Sequence, residues 1–249
     1  MLQIHQFPCL ADNYGFLVHD PATGATATID TPDADEILRQ AKLKGWRITD
    51  IWNTHWHPDH AGGNAAIKAK TGAMVTGPAE VERIGEAPDR IVNQGDTVKL
   101  GSTEASVLDV GGHTLGHVAY AFASEDVAFV GDALFALGCG RLFEGTPRQM
   151  WTSLQRLAAL PDQTTLYCAH EYTQSNARFA LSVDPENVAL LERSAEIDRL
   201  RAAGKPTVPT KLSIEKATNP FLRAPVLMPG LADWEAFAEL RKRKDNFKG

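Results

Sequence analysis

The sequence predicts an α/β domain followed by a smaller domain built from helices. Three observations carry this. Short β-rich stretches bounded by turn residues alternate with helical patterns as far as residue 170. Beyond that point the patterns are helical only and rich in charge. Hydrophobic residues make up 43% and charged residues 22% of 249 residues, which provides for a sizeable core and for one large domain, or an ordinary one plus a smaller.

Segments 3–7, 15–18 and 25–29 are expected as strands, because β-rich runs are separated there by polar or glycine-bearing turns. Residues 35–44 space their apolar side chains at the helical period and stop at Gly45. The run 48–52 is expected as a buried strand, and 61–70 as a helix ended by Gly72. Further strands are expected at 73–76, 97–100, 104–110, 118–122 and 127–130. A helix over 147–160 carries proline in its first turn, where the missing N–H costs nothing. A last strand at 164–167 closes the α/β part, which is expected to span 1–170. In the remaining part, 171–249, residues 174–203 form one helical pattern, 206–209 break it with a proline at each end, and 234–244 form another helix.

Several function classes are excluded at this level. No apolar run approaches the roughly 20 residues of a membrane span. The chain opens without a basic start and apolar block, so no secretion signal is expected. Cys9, Cys139 and Cys168 cannot all pair and fit no zinc spacing, which fits a reducing cytoplasm. A net charge of −6 gives no electrostatic support for nucleic-acid binding. A cytoplasmic monomer without membrane or nucleic-acid partners is the expectation.

One stretch stands apart. Residues 54–60 read THWHPDH and hold three of the chain's eight histidines, directly after the apolar run that ends at Trp52. Pro58 biases His57 toward an extended backbone. If the whole loop is extended, His55, His57 and Asp59 face one way by the two-residue period of extended chain, and His60 faces another. Two ligand directions suit two metals. More ligand-type residues then follow apolar runs downstream: His113 in GGHTLGH, Asp132 in VGDALF and His170 in CAHEYT. His117 lies in the same motif as His113. Nitrogen and oxygen donors without thiolate suit zinc, iron or manganese and do not choose among them.

These motifs resemble the metallo-β-lactamase superfamily. GCGRLFEGTP (138–147), AHEYTQSNARFA (169–180), NPFLR (219–223) and RKRKDNF (241–247) narrow the resemblance to the hydroxyacylglutathione hydrolase (glyoxalase II) family, over nearly the whole chain. The resemblance implies an αββα metallo-β-lactamase sandwich with a C-terminal helical, substrate-binding domain. It implies two divalent metal ions, zinc first and iron or manganese as alternatives. One is held by His55, His57 and His113, the other by Asp59, His60 and His170, with Asp132 bridging. It implies hydrolysis of S-2-hydroxyacylglutathione thioesters, S-D-lactoylglutathione to glutathione and D-lactate, the second step of methylglyoxal detoxification. Zinc alone brings the pKa of water from about 15.7 to about 7. A hydroxide shared by two metals is therefore the expected nucleophile, with Asp59 as ligand and hydroxide orienter.

The small-molecule partner, a glutathione thioester, carries two carboxylates and an ammonium. By resemblance Arg141, Tyr172, Arg241 and Lys244 bind it. Phe143 stands where the family has tyrosine. A lost hydrogen bond of about 0.5–1.5 kcal/mol is expected to weaken binding by a few-fold to tenfold. A one-iron persulfide dioxygenase, a lactonase, a β-lactamase and a non-enzymatic metal module are the competing readings. The RKRKDNF tail and the absence of an export signal rank the thioester hydrolase above them.

Overall fold

The computed structural model describes residues 1–249, which divide into two compact units. The first comprises Met1–Asp109 and Gly116–Gly131. It begins with strands β1 (Gln3–Cys9), β2 (Asn13–His19) and β3 (Thr26–Ile29), helix α1 (Ala34–Lys44) and strand β4 (Asp50–Trp52). Helices α2 (Pro58–Ala61) and α3 (Asn64–Thr71) lead to β5 (Met74–Gly77), a 3₁₀ turn at Ala79–Ile84 and β6 (Arg90–Ile91). Strands β7 (Thr97–Leu100), β8 (Thr103–Asp109), β9 (Val118–Phe122) and β10 (Val127–Gly131) complete it.

Strands β1 to β6 form one sheet in sequence order. β1, β2 and β3 are antiparallel, joined by short turns. β3, β4, β5 and β6 are parallel, because helices carry the chain back between β3 and β5 and the 3₁₀ turn does so before β6. Strands β10, β9, β8 and β7 form an antiparallel meander. The two sheets meet through aromatic rings. Trp52 stacks on Phe122 at 5.7 Å, Phe16 meets Phe129 edge-on at 5.5 Å, and the Tyr120 hydroxyl donates to the Asn53 carbonyl at 2.8 Å. All five strand-borne rings are nearly inaccessible, and each pair adds about 0.5–1.5 kcal/mol beyond simple burial. β2, β3, β9 and β10 are buried on both faces, which is why β9 (VAYAF) and β10 (VAFVG) read as continuous apolar runs rather than as alternating ones.

Helix α1 covers the outer face of the first sheet. Asp33 caps it by accepting from the backbone of Asp35 and Glu36, and Gly45 ends it at φ 69°. Ile37 and Ala41 pack with Phe7, Leu17, Ile51, Ile67 and Val75. The single helix expected over 61–70 is instead α2 and α3, divided at Gly62–Gly63. A Cβ at Gly63 would stand 2.7 Å from the Thr31 carbonyl, whose oxygen accepts the Gly63 N–H. The glycine pair lets the chain turn tightly against the loop after β3.

The second unit comprises Val110–Leu115 and Asp132–Gly249. A two-rung hairpin, β11 (Leu134–Phe135) and β12 (Gly138–Cys139), precedes helix α4 (Pro147–Ala158), which opens with a capping box between Thr146 and Gln149. Strand β13 (Thr165–Cys168) is followed by α5 (Thr173–Val183) and α6 (Val188–Ala202). Strand β14 (Thr210–Lys211) pairs antiparallel with β13, and α7 (Leu212–Thr218), α8 (Ala224–Leu227) and α9 (Asp233–Asp245) end the chain. The expected continuous helix over 174–203 is broken at 184–187. Pro185 bars Asp184 from helical geometry, and Asn187 caps a fresh start by accepting from Leu190 N–H. Phe179 on α5, Phe221 in the turn before α8, Phe237 on α9 and Trp151 on α4 join in one aromatic core. No helix is long and apolar enough to cross a membrane.

Candidate metal centre

Each unit builds a compact donor set. In the first, β4 delivers the chain into the loop 53–57, and Asp30, just past β3, anchors it. Asp30 Oδ1 accepts from Thr54 N–H at 2.7 Å and Oδ2 from the Thr54 hydroxyl at 2.8 Å. The Thr54 hydroxyl has one proton, given to Asp30, so it accepts from His55 Nδ1 at 3.0 Å. His60 Nδ1 lies 2.8 Å from Asp30 Oδ2 and donates to it. Both imidazoles therefore carry their proton on Nδ1 and offer Nε2 as a ligand atom. Asp30 was not singled out in the sequence. Its signal was a carboxylate closing a buried strand, and its backbone is left-handed at φ 59°, a region Asp tolerates better than most residues.

His55 Nε2 lies 3.0 Å from His57 Nδ1, so these two face each other as an extended loop requires. Asp59 does not join them by the two-residue period. Pro58 starts a helical turn, and Asp59 lies inside it beside His60, its Oδ2 3.6 Å from His60 Nε2. Asn13, also missed in the sequence, donates to the same Oδ2 at 3.0 Å. His117 is buried and stacks on His55 at 4.5 Å. Gly131 packs under them: a Cβ there would lie 2.6 Å from Thr54 Oγ1 and 2.8 Å from the His117 ring, at φ 49°. The glycine before Asp132 is thus required both for space and for conformation.

In the second unit, His113 and His170 approach opposite oxygens of one buried carboxylate. His113 Nε2 is 3.4 Å from Asp132 Oδ2, and His170 Nε2 is 3.4 Å from Asp132 Oδ1. The Arg141 carbonyl accepts from His113 Nδ1 at 2.9 Å, which again leaves Nε2 as the ligand atom. His170 stacks face to face on Tyr172 at 4.7 Å. Donors bonded at about 2.0–2.1 Å to one tetrahedral ion stand about 3.3–3.4 Å from each other. The Asp132 spacings match that edge. The loop bearing His113 is held by Ser153 on α4, which donates to the Gly111 carbonyl at 2.7 Å, and by Gly145 N–H on the Gly112 carbonyl. The donors are all imidazole and carboxylate, which suits divalent ions.

The residues expected to bind substrate all lie in the second unit, in different states. Arg141 and Phe143 are exposed, Phe143 by 62%, and its ring meets His113 edge-on at 5.1 Å. Position 143 is therefore beside a metal-ligand candidate rather than remote from the chemistry. Tyr172 is partly exposed. Arg241 is buried. Its Nη1 donates to the Cys139 carbonyl at 3.0 Å, its Nε and Nη2 donate to Asp245, and its plane lies over Phe221. Lys244 is half-buried and donates to the Ser175 carbonyl. Burial first, then Arg241, Arg178 and Arg141, push its pKa down to about 8. Arg178, on the exposed face of α5, was missed; its position in AHEYTQSNARFA was the available signal.

A paired-sheet α/β frame with imidazole and carboxylate donors at strand ends defines a metal-dependent enzyme of the metallo-β-lactamase superfamily, whose family model matches residues 15–170. A second model, hydroxyacylglutathione hydrolase C-terminus, matches residues 171–247. Relatives carrying the name hydroxyacylglutathione hydrolase are 61% identical in Erythrobacter litoralis, over 99% of this chain and all of that one, and 57% identical in Maricaulis maris, over 99% of both. The chain belongs to the hydroxyacylglutathione hydrolase family. Among solved structures, ETHE1 from Myxococcus xanthus matches with a TM-score of 0.72 at 26% identity, over 99% of this chain and 92% of that one. The BLEG-1 B3 metallo-β-lactamase matches with a TM-score of 0.68 at 20% identity, over 88% and 99%, and shares the fold.

Proposed function

We propose that this protein hydrolyses S-2-hydroxyacylglutathione thioesters, S-D-lactoylglutathione among them, to glutathione and the free hydroxy acid in the cytoplasm. The full-length identity to hydroxyacylglutathione hydrolases carries this reading. On it, residues 1–170 are the catalytic domain and 171–249 the substrate domain. On that reading His55, His57 and His113 would hold one divalent ion and Asp59, His60 and His170 the other, with Asp132 shared. Zinc suits this donor set, as do iron and manganese. Bound divalent ions supply Lewis acidity toward water and toward the thioester carbonyl.

The chain's own residues do the rest. Asp30 and the Arg141 carbonyl hold protons on the Nδ1 atoms of His60 and His113, so that Nε2 stays available. Asp59 orients the attacking water, with its carboxylate fixed by Asn13. The thiolate leaves without a dedicated acid. Arg141, Tyr172 and Lys244 receive the tripeptide, with the charge of buried Arg241 behind them and Arg178 beside them. Phe143 packs against His113.

The test is a rate comparison on metal-loaded protein between S-lactoylglutathione and a lactone, with Asp132→Asn as the control. Fast thioester hydrolysis that the variant loses, together with at least one metal, is expected. A preference for the lactone, or unchanged turnover in the variant, would overturn the reading.

A further inference from the structure

Five consecutive residues, Phe135 to Cys139, have their backbone held by side chains from farther along the chain. The carbonyls of Phe135 and Gly138 accept from Asn219 Nδ2 at 3.1 and 3.0 Å. The Ala136 carbonyl accepts from Asn176 Nδ2 at 3.1 Å. Leu137 N–H donates to Glu215 Oε2 at 2.9 Å, and the Cys139 carbonyl accepts from Arg241. Asn176, Glu215, Asn219 and Arg241 are all buried.

The loop needs this. β11 and β12 have two residues each, too few to hold a shape, and Leu137 sits in the left-handed region at φ 57°. That conformation is disfavoured for a non-glycine residue. Glu215 Oε1 accepts from Arg193 and Thr210, so its buried charge is paired, while Asn219 Nδ2, with two protons for three oxygens, shares them among the Phe135 and Gly138 carbonyls and Glu215 Oε2.

What the loop connects gives the clamp its consequence. Asp132 precedes β11 by two residues and Arg141 follows β12 by two. The Arg141 carbonyl orients His113. Gly140 packs so closely that a Cβ would stand 2.1 Å from the Asp132 carbonyl and 3.0 Å from His113 Nδ1. The course of residues 134–140 therefore fixes the placement of both Asp132 and His113.

We propose that Asn219, backed by Glu215 and Arg193, is a positioning residue for the metal ligands Asp132 and His113, acting through the loop 134–140. This rests on reading those two residues as ligands. The helical segment after residue 171 thereby serves the metal centre as well as the substrate.

The experiment compares full-length Asn219→Ala and Asn219→Asp with Ile37→Ala, a core truncation on α1. Cobalt(II) titration, amide exchange at Leu137 and Tm are the readouts. Loss of a group that orients metal ligands costs about 10–100-fold in metal affinity. Both Asn219 variants are expected to weaken cobalt binding by that factor and to expose the Leu137 amide to exchange. Ile37→Ala is expected to lower Tm with cobalt affinity intact. Should Asn219→Ala not fold, Asn176→Ala releases only the Ala136 carbonyl and is expected to weaken cobalt binding less, in the same direction. Wild-type cobalt affinity in the folded variants overturns the proposal, as does equal loss in Ile37→Ala. The wild-type rate on S-lactoylglutathione is measured alongside. A failure there sinks the substrate assignment and leaves the cobalt comparison standing.

Discussion

Asp30→Asn isolates the part of the site that depends on a proton's position. Asparagine tolerates the left-handed backbone of Asp30, so the fold at that residue is undisturbed. The two oxygens of Asp30 receive three donors: Thr54 N–H on one, the Thr54 hydroxyl and His60 Nδ1 on the other. An amide can accept on one side only. With its NH₂ toward His60, the ring must present Nδ1 as acceptor, which moves the proton to Nε2, the ligand atom. With its NH₂ toward Thr54 N–H, a buried backbone donor faces a donor, at about 1–3 kcal/mol of stability. The first arrangement should weaken metal binding by about 10–100-fold, the range for partners that orient ligand histidines. Metal titration gives the affinity, thermal unfolding the stability, and nitrogen-15 shifts of His60 the tautomer. Wild-type metal affinity together with wild-type Tm would refute the argument that Asp30 sets the tautomer of His60.

Three further outcomes are expected. His113→Ala and His170→Ala each leave one oxygen of Asp132 without its imidazole, and metal analysis should show the two variants depleted in different ions; depletion of one shared ion would refute the two-ion reading. Lys244, with its pKa lowered to about 8 mainly by burial, loses its charge as pH rises through 8 while the unfolded chain keeps the proton up to the ordinary value of 10.5. From this group alone, folding stability therefore rises with pH between 8 and 10.5. KM for the glutathione thioester should increase above pH 8, and Lys244→Met should raise KM at pH 7 and flatten that increase; a KM unaffected by either change would remove Lys244 from the site. Phe143→Tyr places a hydroxyl on an exposed ring that meets His113. A hydrogen bond of about 0.5–1.5 kcal/mol to the substrate would lower KM by a few-fold to tenfold, and a change confined to kcat would show that the ring acts through His113 instead.

The sequence by itself determined the frame and marked the candidate donors. Apolar runs ending in ligand-type residues marked β4, β10 and β13 and the loops that follow them, because a buried strand must be apolar and its end is where polar chemistry can begin. The capped helix α1, the proline-started α4 and the basic end of α9 were legible for local reasons: a cap, a fixed φ, a periodic face. What only the tertiary structure decided depends on partners far apart in the chain. Asp59 joined His60 and not His57, because Pro58 starts a helical turn where extended chain was expected. Asp30 and Asn13 became part of the site because strand pairing carried them there, and nothing local in the sequence points from either of them to the histidines. Arg241 was expected from the resemblance to bind the tripeptide, yet α9 packs with that residue inward, against Phe221 and the Cys139 carbonyl. The loop 134–140 carries almost no secondary-structure signal, since its hydrogen bonds go to side chains 40 to 102 residues away. Periodicity reports on neighbours in sequence. Orientation of a ligand is fixed by neighbours in space.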